Sequence, residues 1–399
     1  MSRLAEGTGG LHPFDTPDIH RWDAVMDYLL WSRFARQLPT LGNVGAEFFA
    51  PYEVVEAIDP PPLSTAVSSE IAHGLAQAAD DVVTDLMGFN SHAVVIAHGD
   101  HIIRERYADG YGPESLLQSQ SMHKTVQALL VGIAIDEGLI EGVEEHVGRF
   151  IPEWSADPRG NLGIAQLLGM RSGLETFSVS PNPRSSFWKL MFAADSRATA
   201  LSAQLVEEPG TRFDYNDINA AVLGMVIEAA TGGTYAHFLR TRLAQPLGIG
   251  PARVWLSDEV HRRPHTECCL LTPARTWLRI GMMMRDGGRF DGMQVVPAAW
   301  IDQMCTPAGP DYDSYGYLTW LDAADFFGPP WRVGARAVPE VPGGELVSLS
   351  GYGGQRVWIS RSLDTVIVRQ GPSAGRAPLP RADEWDDSSF MRRIEQALL

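Results

Sequence analysis

Cysteine is scarce in this chain of 399 residues, which holds three: Cys268, Cys269 and Cys305, the first two adjacent. So few thiols cannot build a disulfide framework, and their usage suits a reducing compartment. Long apolar runs are missing too, since nowhere do about 18 consecutive apolar residues offer a membrane span. The opening MSRLAEGTGGLHPFDTP sets no apolar stretch behind a basic start, so no secretory signal is expected. Positive charge is in deficit, with 32 Lys and Arg against 49 Asp and Glu and a formal net charge of -17. Such a surface repels nucleic acid and anionic membranes, and neither is expected as a partner. The expectation is a cytoplasmic protein.

What is present is a hydrophobic content of 45%, enough for a sizeable core in one large domain or two lobes. Residues 1–65 are broken by Pro13, Pro17, Pro39, Pro51 and the run Pro60 to Pro62, with a helical stretch near Trp22 to Leu38. They read as an extension wrapped on the body. Ser68 to Leu86 has helical spacing, and two β-branched runs flank His98-Gly99-Asp100 as a hairpin. Helical patterns then dominate from Ser121 to about Met284, including Met122 to Glu137 and Ile218 to Ala230, each closed by glycine. Strand patterns return over Tyr315 to Leu321, Glu345 to Ser350, Gln355 to Ser360 and Thr365 to Arg369, before a helix from Ser388 to Leu399. The fold class expected is therefore α+β. Residues 66–120 and 285–399 would share one antiparallel sheet flanked by N- and C-terminal helices, and 121–284 would form a large, mostly helical insert.

Three segments could carry chemistry. Ser121-Met122-His123-Lys124 opens a helix, and a Ser and a Lys three residues apart lie on one helical face. A hydroxyl needs a base to become a nucleophile, and an amine serves if its surroundings leave it partly neutral. The helix N-terminus also favours developing negative charge. The plain alternative is a Ser N-cap with a surface Lys. Arg212 to Asn219 precedes a helix and places Tyr215 on a loop, where a phenol could relay a proton. Its plain alternative is a helix entry with Asp217 as N-cap and Tyr215 in the core. Leu349-Ser350-Gly351-Tyr352-Gly353-Gly354-Gln355 is a glycine turn before a strand. One of its N–H groups could complete an oxyanion hole, or it could be only a hairpin.

Taken in this order, Ser-x-x-Lys, a Tyr-x-Asp segment and a glycine strand motif resemble the penicillin-recognising serine hydrolase superfamily. Within it the resemblance is to the branch with class C β-lactamases, serine esterases and 6-aminohexanoate-dimer hydrolase. Ala165 to Leu174 is similar to the family's Leu-Leu-x-x-x-Ser-Gly-Leu segment, and Tyr315-Gly316-Tyr317 to its Tyr-Gly-x strand. The resemblance runs from about residue 68 to the end.

It implies a β-lactamase-like fold with the site between the two lobes. Ser121 would be the acylated nucleophile, Lys124 its base and Tyr215 the proton relay. The N–H groups of Ser121 and, within a register of one or two residues, Tyr352 would form the oxyanion hole. Gly351 and Gly353 would line the substrate. Asp217 replaces the Asn of many relatives, either favouring an amine-bearing substrate or capping the helix. Ser348 to Gln355 holds no Lys or His, the cation with which β-lactamases and cell-wall peptidases bind a carboxylate. The implied reaction is therefore hydrolysis of a carboxylic ester or linear amide. Rivals are acyl transfer to an alcohol or amine, β-lactam or D-amino peptide cleavage, and a ligand-binding sensor of the same fold.

His261, His265, Cys268 and Cys269 are the one grouping that suggests a metal, and their spacing fits no zinc pattern. No metal and no cofactor are expected. His123 lies on a different helical face from Ser121 and Lys124 and reads as a packed residue. No glycine stretch sits between a parallel strand and a helix in a nucleotide-binding arrangement.

Overall fold

Strand-forming sequence from early and late in the chain meets in one sheet. The computed structural model describes residues 50–56, 62–65, 71–177, 185–193, 195–258, 260–321, 345–371 and 387–399. Most of the expected extension over 1–65, including the helical stretch near Trp22 to Leu38, lies outside them. The described strands are β1 (Tyr52–Val55), β2 (Ser64–Thr65), β3 (Ala93–His98), β4 (His101–Tyr107), β5 (Leu117–Gln118), β6 (Ala252–Trp255), β7 (Leu271–Thr272), β8 (Arg289–Phe290), β9 (Met293–Gln294), β10 (Trp320–Leu321), β11 (Val347–Gly351), β12 (Gln355–Ser360) and β13 (Thr365–Gln370). The longer helices are α1 (His73–Gly88), α2 (His123–Asp136), α3 (Asp217–Thr231), α4 (Ala274–Arg285) and α5 (Asp387–Leu398).

The main sheet has seven strands in the order β10-β11-β12-β13-β3-β4-β2, antiparallel except where β2 meets β4. Its centre is the pairing of β13 with β3, residues 365–370 against 93–98. Successive side chains of a strand point to opposite faces, and here both faces are covered. Ala93, Val95, Val357, Val366 and Val368 enter the larger core, while Val94, Ile96, Trp358 and Ile367 enter a second one. The second core is closed by α1 and α5, which pack on each other and contribute Leu75, Val82, Leu86, Phe390 and Ile394. α4 lies against β12, β13 and β3 on the other side. The α+β class and the β-lactamase-like arrangement expected from the sequence are what the structure has.

Two local expectations change. Only Trp320–Leu321 of the stretch 315–321 is strand, because Leu318 takes a left-handed φ of 48° and bends the chain. The helix-rich middle also contributes to a second, four-stranded sheet, β1-β6-β7-β5. Its strands are two to four residues long, too short for periodicity to reveal. This sheet matters for the site: β5 leads directly into Ser121, and Ser119 N–H bonds to Leu270 O at 3.0 Å.

Close packing fixes α2, the helix that carries Lys124. Gly132 faces the Trp300 indole, whose Nε1 donates to Ala128 O at 2.9 Å. A Cβ at Gly132 would lie 2.1 Å from Trp300 Cδ1. Gly132→Ala is therefore expected to destabilise the protein by about 1–3 kcal/mol despite the better helix propensity of Ala. Urea unfolding checks this, and an unchanged midpoint would contradict the packing.

Candidate active site

Ser121 is delivered by a kink. Gln120 has a left-handed φ of 50°, uncommon for a residue with a Cβ. Its neighbours hold it there. Its carbonyl accepts from Cys269 N–H at 3.1 Å, and its side-chain amide donates to Gln118 Oε1 at 2.6 Å. The kink turns β5 into a single 3-10 turn, Gln120–Met122, from which α2 continues. Ser121 thus sits one turn ahead of the α-helix proper.

Lys124 Nζ donates to Ser121 Oγ at 3.0 Å, as the three-residue spacing predicts. The amine is buried, with 1% of its residue surface exposed. It also contacts Asp217 Oδ1 at 2.7 Å and donates to Glu267 O at 2.5 Å, and it lies 5.1 Å from the centre of the Tyr215 ring. Burial alone would lower its pKa, but the Asp217 carboxylate, followed by Tyr215, outweighs burial and raises it. This direction favours the ammonium over the partly neutral amine that a base would need.

Tyr215 comes from the loop before α3. Its hydroxyl is hydrogen-bonded to both Ser121 and Lys124. Burial pushes the phenol above its ordinary pKa, with Lys124 pulling the other way. The ring stacks on Trp320, with centroids 5.6 Å apart, and meets Tyr315 edge-on. The neighbouring residue takes the capping role. Asn216 caps α3, its Oδ1 accepting from Ile218 N–H at 2.9 Å and its Nδ2 donating to Leu174 O at 3.0 Å. Asp217 is the first helical residue. It is not the cap, so its carboxylate is available to Lys124, and its charge is matched before any substrate arrives.

The segment 165–174 braces this loop. Asp214 N–H bonds to Met170 O at 2.8 Å, and Gly210 N–H to Arg171 O at 2.7 Å. Buried Arg171 pairs with Asp311. Leu318, in the bend after Tyr315 to Tyr317, accepts from Thr125 Oγ1 at 2.7 Å, tying that bend to the start of α2.

The glycine turn lies beside Ser121 because Gly351 has no side chain. A Cβ there would fall 2.3 Å from Ser119 O and 3.0 Å from Gln120 Cβ, so β11 can press against the turn that carries Ser121. Gly353 and Gly354 take φ of 79° and 77°, values that suit glycine. Gly351 and Gly353 are buried against the protein, and the Tyr352 side chain is 58% exposed.

His123 faces away from this group. Its ring bonds to Cys268 O at 2.9 Å and to the Tyr235 hydroxyl at 3.0 Å, and burial lowers its pKa to about 4. His265 pairs with Glu267 at 2.7 Å, both buried, and His261 with Asp258 at 2.8 Å. Cys268 and Cys269 are joined to each other as a disulfide between neighbours, a pairing not expected from the cysteine usage. Among the described residues no group of acidic, His and Cys side chains could hold a metal, and no helix is long and apolar enough to cross a membrane.

The Glu267 carbonyl was not foreseen, because a main-chain oxygen 143 residues away leaves no motif. One signal for Lys124 went unused: only two of the 32 basic residues are lysine, Lys124 and Lys189.

The chain is similar to several known proteins. A family model described as Beta-lactamase matches residues 79–378. The chain belongs to that β-lactamase family. It is an enzyme of the serine hydrolase type. Its relatives in sequence include the 6-aminohexanoate-dimer hydrolase of Paenarthrobacter ureafaciens, 24% identical over 370 residues that cover 88% of this chain and 87% of the relative. Similar solved structures include a Bacillus anthracis protein provisionally named as a 6-aminohexanoate-dimer hydrolase. It has a TM-score of 0.65 and 18% identity, with 93% of this chain and 92% of that one covered. Another is EstCE1, a hydrolase with promiscuous acyltransferase activity, with a TM-score of 0.61 and 16% identity over 82% of this chain and 98% of that one. At these identities the solved structures speak for the β-lactamase-family fold alone.

The Lys124–Asp217 pair makes a pH prediction. Asp217→Asn removes the charge that holds the ammonium, so the neutral amine persists to lower pH. If the neutral amine accepts the Ser121 proton, the acidic limb of the kcat/KM profile moves down by about 1–2 pH units. A variant that instead gains a fall on the alkaline side would assign the work to the ammonium form.

Proposed function

We propose that this enzyme hydrolyses a neutral carboxylic ester or linear amide through an acyl-enzyme on Ser121. The observation that carries the reading is the 3.0 Å contact of Lys124 Nζ with Ser121 Oγ, made while the same nitrogen is bound to Asp217 and Glu267 O. Reaction needs Lys124 in its neutral form, reached when the ammonium loses its proton to solvent, and that amine can then accept the Ser121 proton. Ser121 Oγ then attacks the carbonyl carbon, and its proton passes to Lys124. Tyr215, bonded to both groups, relays that proton to the leaving alcohol or amine as the C–O or C–N bond breaks. Water attacks the acyl-enzyme along the same route in reverse and releases the acid. The N–H groups of Ser121 and Tyr352 would hold the oxyanion.

Two features support neutral substrates. Asp217 already neutralises Lys124, so it does not serve as a spare anion for an amine-bearing substrate. The turn from Ser348 to Gln355 has no Lys or His to bind a carboxylate. The 6-aminohexanoate-dimer hydrolase among the relatives agrees with a linear amide. The likeness to EstCE1 makes transfer to an added alcohol the natural side reaction to examine.

Turnover of a short-chain p-nitrophenyl ester and labelling by a fluorophosphonate test the reading together. Ser121→Ala should abolish both, and His123→Ala should keep the label. Lys124→Ala is expected to slow acylation about 10³-fold or more, because coupled catalytic groups act as a unit. Retained turnover in Ser121→Ala would overturn the assignment, and near-normal acylation in Lys124→Ala would mean another base.

A further inference from the structure

Two buried guanidinium groups stand directly opposite each other in the main sheet. Arg356 on β12 is the register partner of Arg369 on β13, and the two residues are 1% and 2% exposed. Like charges opposite each other on antiparallel strands are unfavourable, and burying them adds a desolvation cost. Burial, and then the charge of Arg356, lowers the pKa of Arg369 to about 9. The hydrogen bonds of the two groups show what they hold.

Arg369 Nη1 donates to Gly353 O at 2.8 Å and to Gly354 O at 3.0 Å. Its other nitrogens anchor it to Ser91 Oγ at 2.8 Å and Phe89 O at 3.0 Å, in the segment between α1 and β3. Arg356 Nη1 donates to Gln355 O at 3.1 Å and reaches Gly351 O at 3.4 Å. The pair therefore holds the carbonyls of Gly351, Gly353, Gly354 and Gln355, which surround Tyr352. In a trans peptide the N–H points opposite to the carbonyl of the preceding residue. Drawing the Gly351 carbonyl toward Arg356 turns the Tyr352 N–H away from the buried arginines. Gly351 is also the residue packed against Ser119 and Gln120, next to Ser121.

We propose that Arg356 and Arg369 are positioning residues that hold the Gly351–Tyr352 peptide so that its N–H faces the oxyanion formed on the Ser121 substrate. The inference rests on the proposed acyl-enzyme reading and adds the device that aims its second oxyanion donor. Neither arginine touches the substrate. Both act through the turn.

The test compares an oxygen ester with the matching thionoester in Arg369→Lys, Arg356→Lys and Arg369→Ala. Sulfur is a weaker hydrogen-bond acceptor, so the rate ratio of the two substrates reads the strength of the oxyanion contacts. The expected result in each variant is a fall in kcat on the oxygen ester of about 10–100-fold with KM little changed, and a smaller fall on the thionoester. Added guanidinium should restore part of the lost rate in Arg369→Ala and none in Arg369→Lys. Equal losses on both substrates, or a loss confined to KM, would overturn the proposal. So would wild-type rates in a folded variant. Where Arg369→Ala does not fold, the two Lys variants carry the same ratio test. Labelling of Ser121 in the wild type keeps failure here distinct from failure of the nucleophile assignment, since it depends on neither substitution.

Discussion

A buried ammonium group needs compensation from every side, and the polar part of this site is organised around providing it for Lys124. Transfer of an unpaired charge into the interior would cost several kcal/mol or more. Here the Ser121 hydroxyl, the Asp217 carboxylate, the Glu267 carbonyl and Tyr215 surround the nitrogen. Each partner comes from a different segment: a kinked turn, the start of α3, the loop before β7 and the loop before α3. The positions of these segments relative to α2 are thus tied together by a single charge.

That requirement explains features that otherwise look like separate details. Asn216 caps α3 and leaves Asp217 free for the amine, so the helix end and the charge are served by different residues. The segment 165–174 braces the loop that holds Tyr215. The small sheet of β1, β6, β7 and β5 brings residue 118 beside residue 271, which sets the Ser121 turn next to the stretch carrying Glu267. On the far side, glycine at 351 lets the sheet edge come close enough to share the site.

Much of the fold was legible because it depends on local pattern. The hairpin at Gly99, the helices near 123–136 and 217–231, and strands 355–360 and 365–370 follow from periodicities that sequence displays directly. The stretch 315–321 was misread because a bend at Leu318 interrupts an apolar run, and composition does not register a left-handed φ. The second sheet was missed because strands of two to four residues carry too little pattern, and the disulfide because adjacent cysteines do not resemble a framework.

The sequence by itself determined which groups could take part in chemistry. It supplied a Ser and a Lys at helical spacing, a loop Tyr, and a glycine turn without a cation, since these are matters of residue type and local geometry. The tertiary structure alone decided their states and directions. Whether Lys124 is charged depends on a carboxylate 93 positions away and a carbonyl 143 positions away. Which carbonyls of the glycine turn are held depends on two arginines paired across strands. Electrostatic energy and peptide orientation are set by distances in space, and neighbours in space are what a linear sequence does not list.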